Sequence, residues 1–125
     1  LIFGEDTYIA ARMLQSGWKI AYCAEAQVWH SHNYTIREEF RRYFDIGVFH
    51  SREKWFLQSI GRAEGEGRKF VRSEFQFLSL KAPWYIPAAC LRTLLKFAGY
   101  RLGLAEKHLP VIVKKRLSMN RAFWR

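Results

Sequence analysis

Cysteine is nearly absent from this chain: the two present, Cys23 and Cys90, lie far apart and in no C-x-x-C spacing. That excludes a disulfide framework and a cysteine-based zinc site, and predicts two reduced, partly buried thiols in a cytoplasmic protein. No apolar run reaches the roughly 20 residues that a bilayer-crossing helix needs. The chain opens on "LIFGED" with no charged and then apolar leader, so no secretory signal is visible and a longer protein is expected ahead of it. Internal repeats and low-complexity tracts are missing. Acid is scarce as well, with 11 Asp and Glu against 21 Lys and Arg.

What is present is unevenly placed. Residues 1–50 hold six acids and five bases, whereas residues 51–125 hold five acids and sixteen bases. The first segment has the balance of a soluble domain; the second carries a field suited to phosphate groups. With 125 residues, half of them hydrophobic and 17% aromatic, the chain supports one real core plus an appendage.

Apolar spacing predicts a short helix over 6–17, capped by Asp6 or Thr7 and stopped by Gly17. "WKIAYC" alternates, with Trp18, Ile20 and Tyr22 on one face, and predicts a half-buried strand. After a turn at "AEA", "QVWH" predicts a second short strand ending at His30. Thr35 and Glu38 stand in capping-box spacing ahead of a long helix running towards Ser59, with Phe40, Tyr43, Phe44, Gly47, Val48 and Phe49 on its apolar side and Arg37, Glu38, Arg41, Arg42 and Asp45 mostly on the other. "GRAEGEGRK" at 61–69 carries three glycines among charges and is the linker candidate. Residues 68–81 predict another helix. "APWYIPAACL", "LLKFAGYRLGL" and "VIVKKRLSMNRAFWR" mix aromatic, aliphatic and basic side chains as interfacial segments do.

Taken singly, the polar residues of the first segment have ordinary explanations. Glu5 and Asp6 are the carboxylates a helix N-terminus favours, and His30 and His32 are too few to hold a metal alone. In order, however, "GEDTYIAARMLQSGWKIAYCAEAQVWHSH" resembles the C-terminal part of the catalytic domain of family 2 glycosyltransferases, inverting enzymes of the GT-A fold. The shared pattern is an acidic pair opening a helix, an arginine (Arg12), a glycine-aromatic turn (Gly17-Trp18), a strand towards "AEAQVWH", and a histidine. "HSHNYTIREEFRRYFDIGVF" extends the likeness towards the bacterial rhamnosyltransferase-type branch, and the tail is similar more loosely.

The resemblance implies an α/β start, the C-terminal portion of a GT-A nucleotide-diphospho-sugar transferase domain over 1–60. The linker 61–69 and a mostly helical, basic tail over 70–125 would follow. It implies Asp6 as the base that takes the acceptor hydroxyl's proton, with Glu5 orienting it or contacting the acceptor. It implies His30, with His32 as fallback, as ligand of a divalent Mn or Mg ion. Arg41, Arg42 and Tyr43 fall where processive members carry a Q-x-x-R-W motif and imply substrate contacts, although the glutamine and tryptophan are absent. No D-x-D occurs here, so the metal and donor sites are expected to be completed by an upstream half, without which the chain is expected to be inactive.

The expected partners are a nucleotide-diphosphate sugar, a saccharide or polyprenyl-linked acceptor, and an anionic membrane surface. Trp84, Tyr85, Arg92, Lys96, Lys114, Lys115 and Arg116 would meet that surface from the cytoplasmic side. A chain exposing apolar surface meant for an upstream half is also expected to form homodimers. Two other classes fit the charge: a nucleic-acid binder, disfavoured because no recognised motif appears, and a non-enzymatic basic interaction module.

Overall fold

The computed structural model describes residues 1–29, 32–60 and 64–125. Its elements, in order, are α1 (Glu5–Gln15), α2 (Ile36–Arg52), α3 (Lys54–Ile60), α4 (Glu64–Lys81), α5 (Ile86–Leu104) and α6 (Val111–Leu117). Short 3-10 turns at Pro83–Tyr85, Glu106–His108 and Arg121–Phe123 join or follow them. The expected α/β start is not formed: among the described residues there is no strand. Residues 18–23 alternate as a strand should, but among the described residues no second strand lies beside them, and a lone extended segment has no partner for most of its N–H and C=O groups. The side chains of residues 18–29 stay in solvent, with Tyr22 93% and Trp29 106% exposed. Only the turn is as expected, closed by Ala26 N–H donating to Cys23 C=O at 3.2 Å. Both cysteines are exposed rather than partly buried.

α2 begins as its sequence dictates. Thr35 Oγ1 accepts from Glu38 N–H at 3.3 Å, and Glu38 Oε2 accepts from Thr35 N–H at 2.8 Å, a complete capping box. The helix stops at Arg52, earlier than the expected run to Ser59, and α3 starts after the single non-helical residue Glu53. α1 begins at Glu5, its N-cap Gly4 in the left-handed region at φ +76°, so neither Asp6 nor Thr7 caps it. Gly17, at φ +87°, follows its C-terminal end. Of the stretch read as a linker, residues 64–69 lie in α4 and 61–63 lie outside the described residues.

The core is built on α2 and α5, which lie side by side and run the same way: Glu39 meets Arg92, Phe40 and Phe44 meet Gly99, Gly47 meets Gly103, and Arg52 meets Glu106. Three glycines make this contact possible. A Cβ on Gly99 would sit 2.5 Å from the Phe40 carbonyl oxygen, one on Gly103 would collide with the Phe44 carbonyl oxygen, and one on Gly47 with that of Tyr100. The two backbones therefore touch, and only glycine fits at these positions. Phe44, Val48, Phe49 and Phe56 fill the space beside the seam together with Ile2, Ala11 and Trp124. Trp124 is only 5% exposed; the chain's last aromatic, which reads as interfacial in sequence, is a core residue that closes over Phe44 at a ring distance of 6.4 Å.

Polar groups lock both ends of the seam. Glu39 on α2 receives Arg92 Nη1 at 2.9 Å and Lys96 Nζ at 3.7 Å from α5. At the other end the buried Glu106 receives Arg52 Nε at 3.0 Å and Lys114 Nζ at 2.6 Å. Asp45, assigned by its spacing to the polar side of α2, is instead buried, and its Oδ2 accepts the backbone N–H groups of Met119 at 2.9 Å and Asn120 at 3.3 Å. The C-terminal strap is thereby fastened to α2.

Two outcomes follow from this packing. Gly103→Ala should lower stability by about 1–3 kcal/mol despite alanine's better helix propensity, because its methyl meets backbone that cannot move aside. Gly67→Ala in α4, where a Cβ meets nothing within 4 Å, should gain about 0.5–1 kcal/mol; thermal melts of the two variants check both signs. For Glu106, burial pushes the carboxyl up, but the hydrogen bonds and charges of Arg52 and Lys114 outweigh it and hold it below the usual carboxylate range. Its folded value lies below its unfolded one, so its contribution is present above the unfolded value and is lost as pH falls through the lowered one. Glu106→Gln should cost roughly 1.5–3 kcal/mol at pH 7, with the gap to the parent closing below about pH 4, as denaturant titrations at the two pH values would show.

Candidate functional site

Gly4 turns the chain into α1, leaving Glu5 and Asp6 exposed on its first turn. Asp6 Oδ1 accepts from Thr7 N–H at 2.8 Å and from the Thr7 hydroxyl at 3.3 Å, which fixes the carboxylate at the helix start. Behind this turn, α1 is held to α3 by Tyr8 edge-on to Trp55 at 5.3 Å, by the Arg12 guanidinium 4.2 Å from the Trp55 ring centre, and by Gln15 Nε2 donating to Ser59 Oγ at 2.9 Å. Arg12, one of the residues that carry the family likeness, is thus a structural clamp on the helix bearing Asp6.

Arg42 joins the rest. Its Nη1 donates to the Tyr34 hydroxyl at 3.0 Å, and its guanidinium carbon lies 4.9 Å from the centre of the Phe3 ring and 5.4 Å from that of Tyr34. Tyr34 in turn stacks on His32 at 4.9 Å with an interplanar angle of 14°. Histidine, tyrosine, arginine and phenylalanine form a continuous stack that brings the segment after residue 31 to the segment leading into Glu5-Asp6. Tyr34 and Phe3 are participants the sequence reading missed, because no spacing rule marks a stacking partner. His30 lies outside the described residues.

The three neighbours expected to contact substrate fan out to different sides of α2. Arg42 faces Phe3 and Tyr34; the Tyr43 ring receives Lys96 Nζ at 5.8 Å and so faces α5; Arg41 lies near Arg37 and Arg121. Among the residues expected at a membrane surface, Arg92 and Lys96 are drawn onto Glu39 and Lys114 onto Glu106, whereas Trp84, Tyr85, Lys115 and Arg116 are exposed. No helix among the described residues is long and apolar enough to cross a membrane.

The fit to a metal is poor within this chain. Among the described residues no three His, Cys, Asp or Glu side chains converge, so these residues alone do not make a metal centre. Two concavities lie elsewhere: an apolar groove of about 260 Å³ between α4 and α5, and one of about 220 Å³ between Ile2, Arg52 and Phe123. Neither is lined by Asp6, His32 or Arg42. What the region offers is an exposed carboxylate on a fixed helix start and, on the segment leading into it, a Phe3 ring that with Tyr34 holds Arg42 in place.

No family model and no solved structure matches the chain. Over 123 residues it is 54% identical to the O-antigen chain rhamnosyltransferase WbaN of Salmonella anatum. Over the same length it is 53% identical to the O-antigen chain rhamnosyltransferase RfbN of Salmonella typhimurium (strain LT2). Each alignment covers 98% of this chain but 39% of the relative. The chain therefore spans about two fifths of the length of the curated relatives it matches.

If the stack holds Arg42 as the distances indicate, Tyr34 and Arg42 are energetically coupled. A double-mutant cycle of Tyr34→Phe and Arg42→Lys should give a coupling of about 0.5–1.5 kcal/mol in denaturant unfolding; additive effects would mean that the two side chains do not hold one another.

Proposed function

We propose that this chain is the C-terminal portion of a sugar transferase that moves rhamnose from a nucleotide-diphosphate donor to a growing O-antigen-type saccharide, with inversion at the anomeric carbon. The observation that carries this reading is the identity of 54% over 123 residues to a protein of that name, continuous across 98% of the chain. In this reading Asp6 removes the proton of the attacking acceptor hydroxyl. Its place on a solvent-facing first turn lets an acceptor approach within hydrogen-bond reach. Glu5 beside it contacts the acceptor, and Arg42, kept rigid by Phe3 and Tyr34, faces negative charge on the donor side.

The remaining length of the relatives is where donor recognition and any divalent metal belong. His32 and His30 are the side chains this chain would offer such an ion. For a lipid-linked acceptor, the side chains turned towards an anionic membrane face are Trp84, Tyr85, Lys115 and Arg116, since Arg92 and Lys96 are engaged by Glu39 and Lys114 by Glu106.

The test is a chimera in which these 123 aligned residues replace their counterparts in the Salmonella anatum relative. It should transfer rhamnose to the relative's acceptor, and Asp6→Asn in the chimera should lower the rate by about 10²- to 10⁴-fold without changing its thermal melt. A folded chimera without transferase activity, or an Asp6→Asn chimera as active as its parent, would overturn the assignment.

A further inference from the structure

Most of the cations whose contacts are described above are balanced or stacked. Arg52 and Lys114 share Glu106, Arg92 and Lys96 share Glu39, Arg12 lies on Trp55, and Arg42 lies between Phe3 and Tyr34. One group does not follow this rule. Arg37 and Arg41 stand one turn apart on α2, and Asp45 stands one turn further along the same face. Because Asp45 Oδ2 holds the N–H groups of Met119 and Asn120, the next residue of the strap, Arg121, is delivered beside Arg41.

Burial first, and then the charges of Arg37 and Arg121, lower the Arg41 pKa, and Glu38 is the acid that opposes them. That acid is already committed: Glu38 Oε2 accepts from both Thr35 N–H and Thr35 Oγ1 in the capping box. Asp45 is likewise turned inward onto backbone N–H groups. The fold thus uses a buried carboxylate to bring the Arg121 guanidinium up to Arg41, which already has Arg37 one turn away, against their repulsion. Arg37 lies on the first turn of α2, whose N-terminal end adds its partial positive charge.

We propose that Arg37, Arg41 and Arg121 form a binding site for a phosphate-type oxyanion, the diphosphate or phosphodiester group of a ligand outside this chain. Planar guanidinium forks match paired phosphate oxygens, and a ligand with two negative charges removes the repulsion that the strap otherwise maintains. The site does not depend on the sugar-transfer reading. It needs neither Asp6 nor Arg42, and it lies on a different flank of α2.

Two sources share this chemistry, a soluble diphosphate and a lipid headgroup, and two probes separate them: inorganic pyrophosphate followed by calorimetry at low ionic strength, and vesicles of phosphatidylglycerol in phosphatidylcholine followed by sedimentation. The full chain is compared with Arg37→Gln/Arg121→Gln and with the control Arg72→Gln/Lys81→Gln on α4. All four of these residues are exposed, and each double variant removes two charges. The cluster variant should bind at least one probe about 10-fold or more weakly than the parent, with the control within about 2-fold. Loss for pyrophosphate assigns the site to a diphosphate, and loss for vesicles alone assigns it to a headgroup. Equal weakening in the two variants, or no binding of either probe by the parent, would overturn the proposal.

Discussion

The contact between α2 and α5 at Gly47, Gly99 and Gly103 sets the geometry on which everything else rests. With no Cβ on these residues, the helix backbones meet directly, and carbonyl groups of one helix lie against the Cα positions of the other. Such a seam leaves no freedom of register. It brings Glu39 to Arg92 and Lys96 at one end and Arg52 to Glu106 at the other. It also fixes the rotation of α2, so that Arg42 turns to Phe3, Tyr43 to Lys96, and Arg41 to the strap.

Buried acid is the second organising element. The chain has few carboxylates and places three of them, Glu39, Asp45 and Glu106, where they are wholly or largely shielded. Each collects donors from a distant part of the sequence: α5, the strap before Trp124, and Arg52 with Lys114. The excess of base in the second segment is therefore not all a surface field. Part of it is internal cement, and what remains outside is spread over α4, α6 and the strap at Arg121.

Sequence patterns revealed the helices well because their signals are local. The capping box of Thr35 and Glu38, the glycine ending α1 and the apolar spacing of 68–81 each act within one or two turns. The strands expected at 18–23 and 27–30 failed for the opposite reason. Alternation specifies a face, but a strand exists only through a partner, and none pairs with residues 18–29. Asp45 and Trp124 were misplaced because a residue's burial on one helix is decided by a strap some 74 residues away in sequence. The spacing of Gly99 and Gly103, four apart on one helix face, was available as a sign of close helix contact. Of the candidate site, Asp6, Glu5 and Arg42 were visible through their order in the chain. Phe3 and Tyr34, which hold Arg42, were not, since stacking partners leave no spacing rule in sequence.

The helical unit closed by the glycine seam, with the acidic turn before α1 and the aromatic stack attached to its side, is thus a rigid platform. The exposed 18–29 segment is what remains without partners. Native-state hydrogen exchange on the chain measures this arrangement residue by residue. The account predicts the slowest amides at 44–49 and 97–103, along the seam, and near-unprotected exchange throughout 19–23 and at 28–29. Protection of the 19–23 and 28–29 amides at the level of the seam would show a sheet in this region and contradict the account.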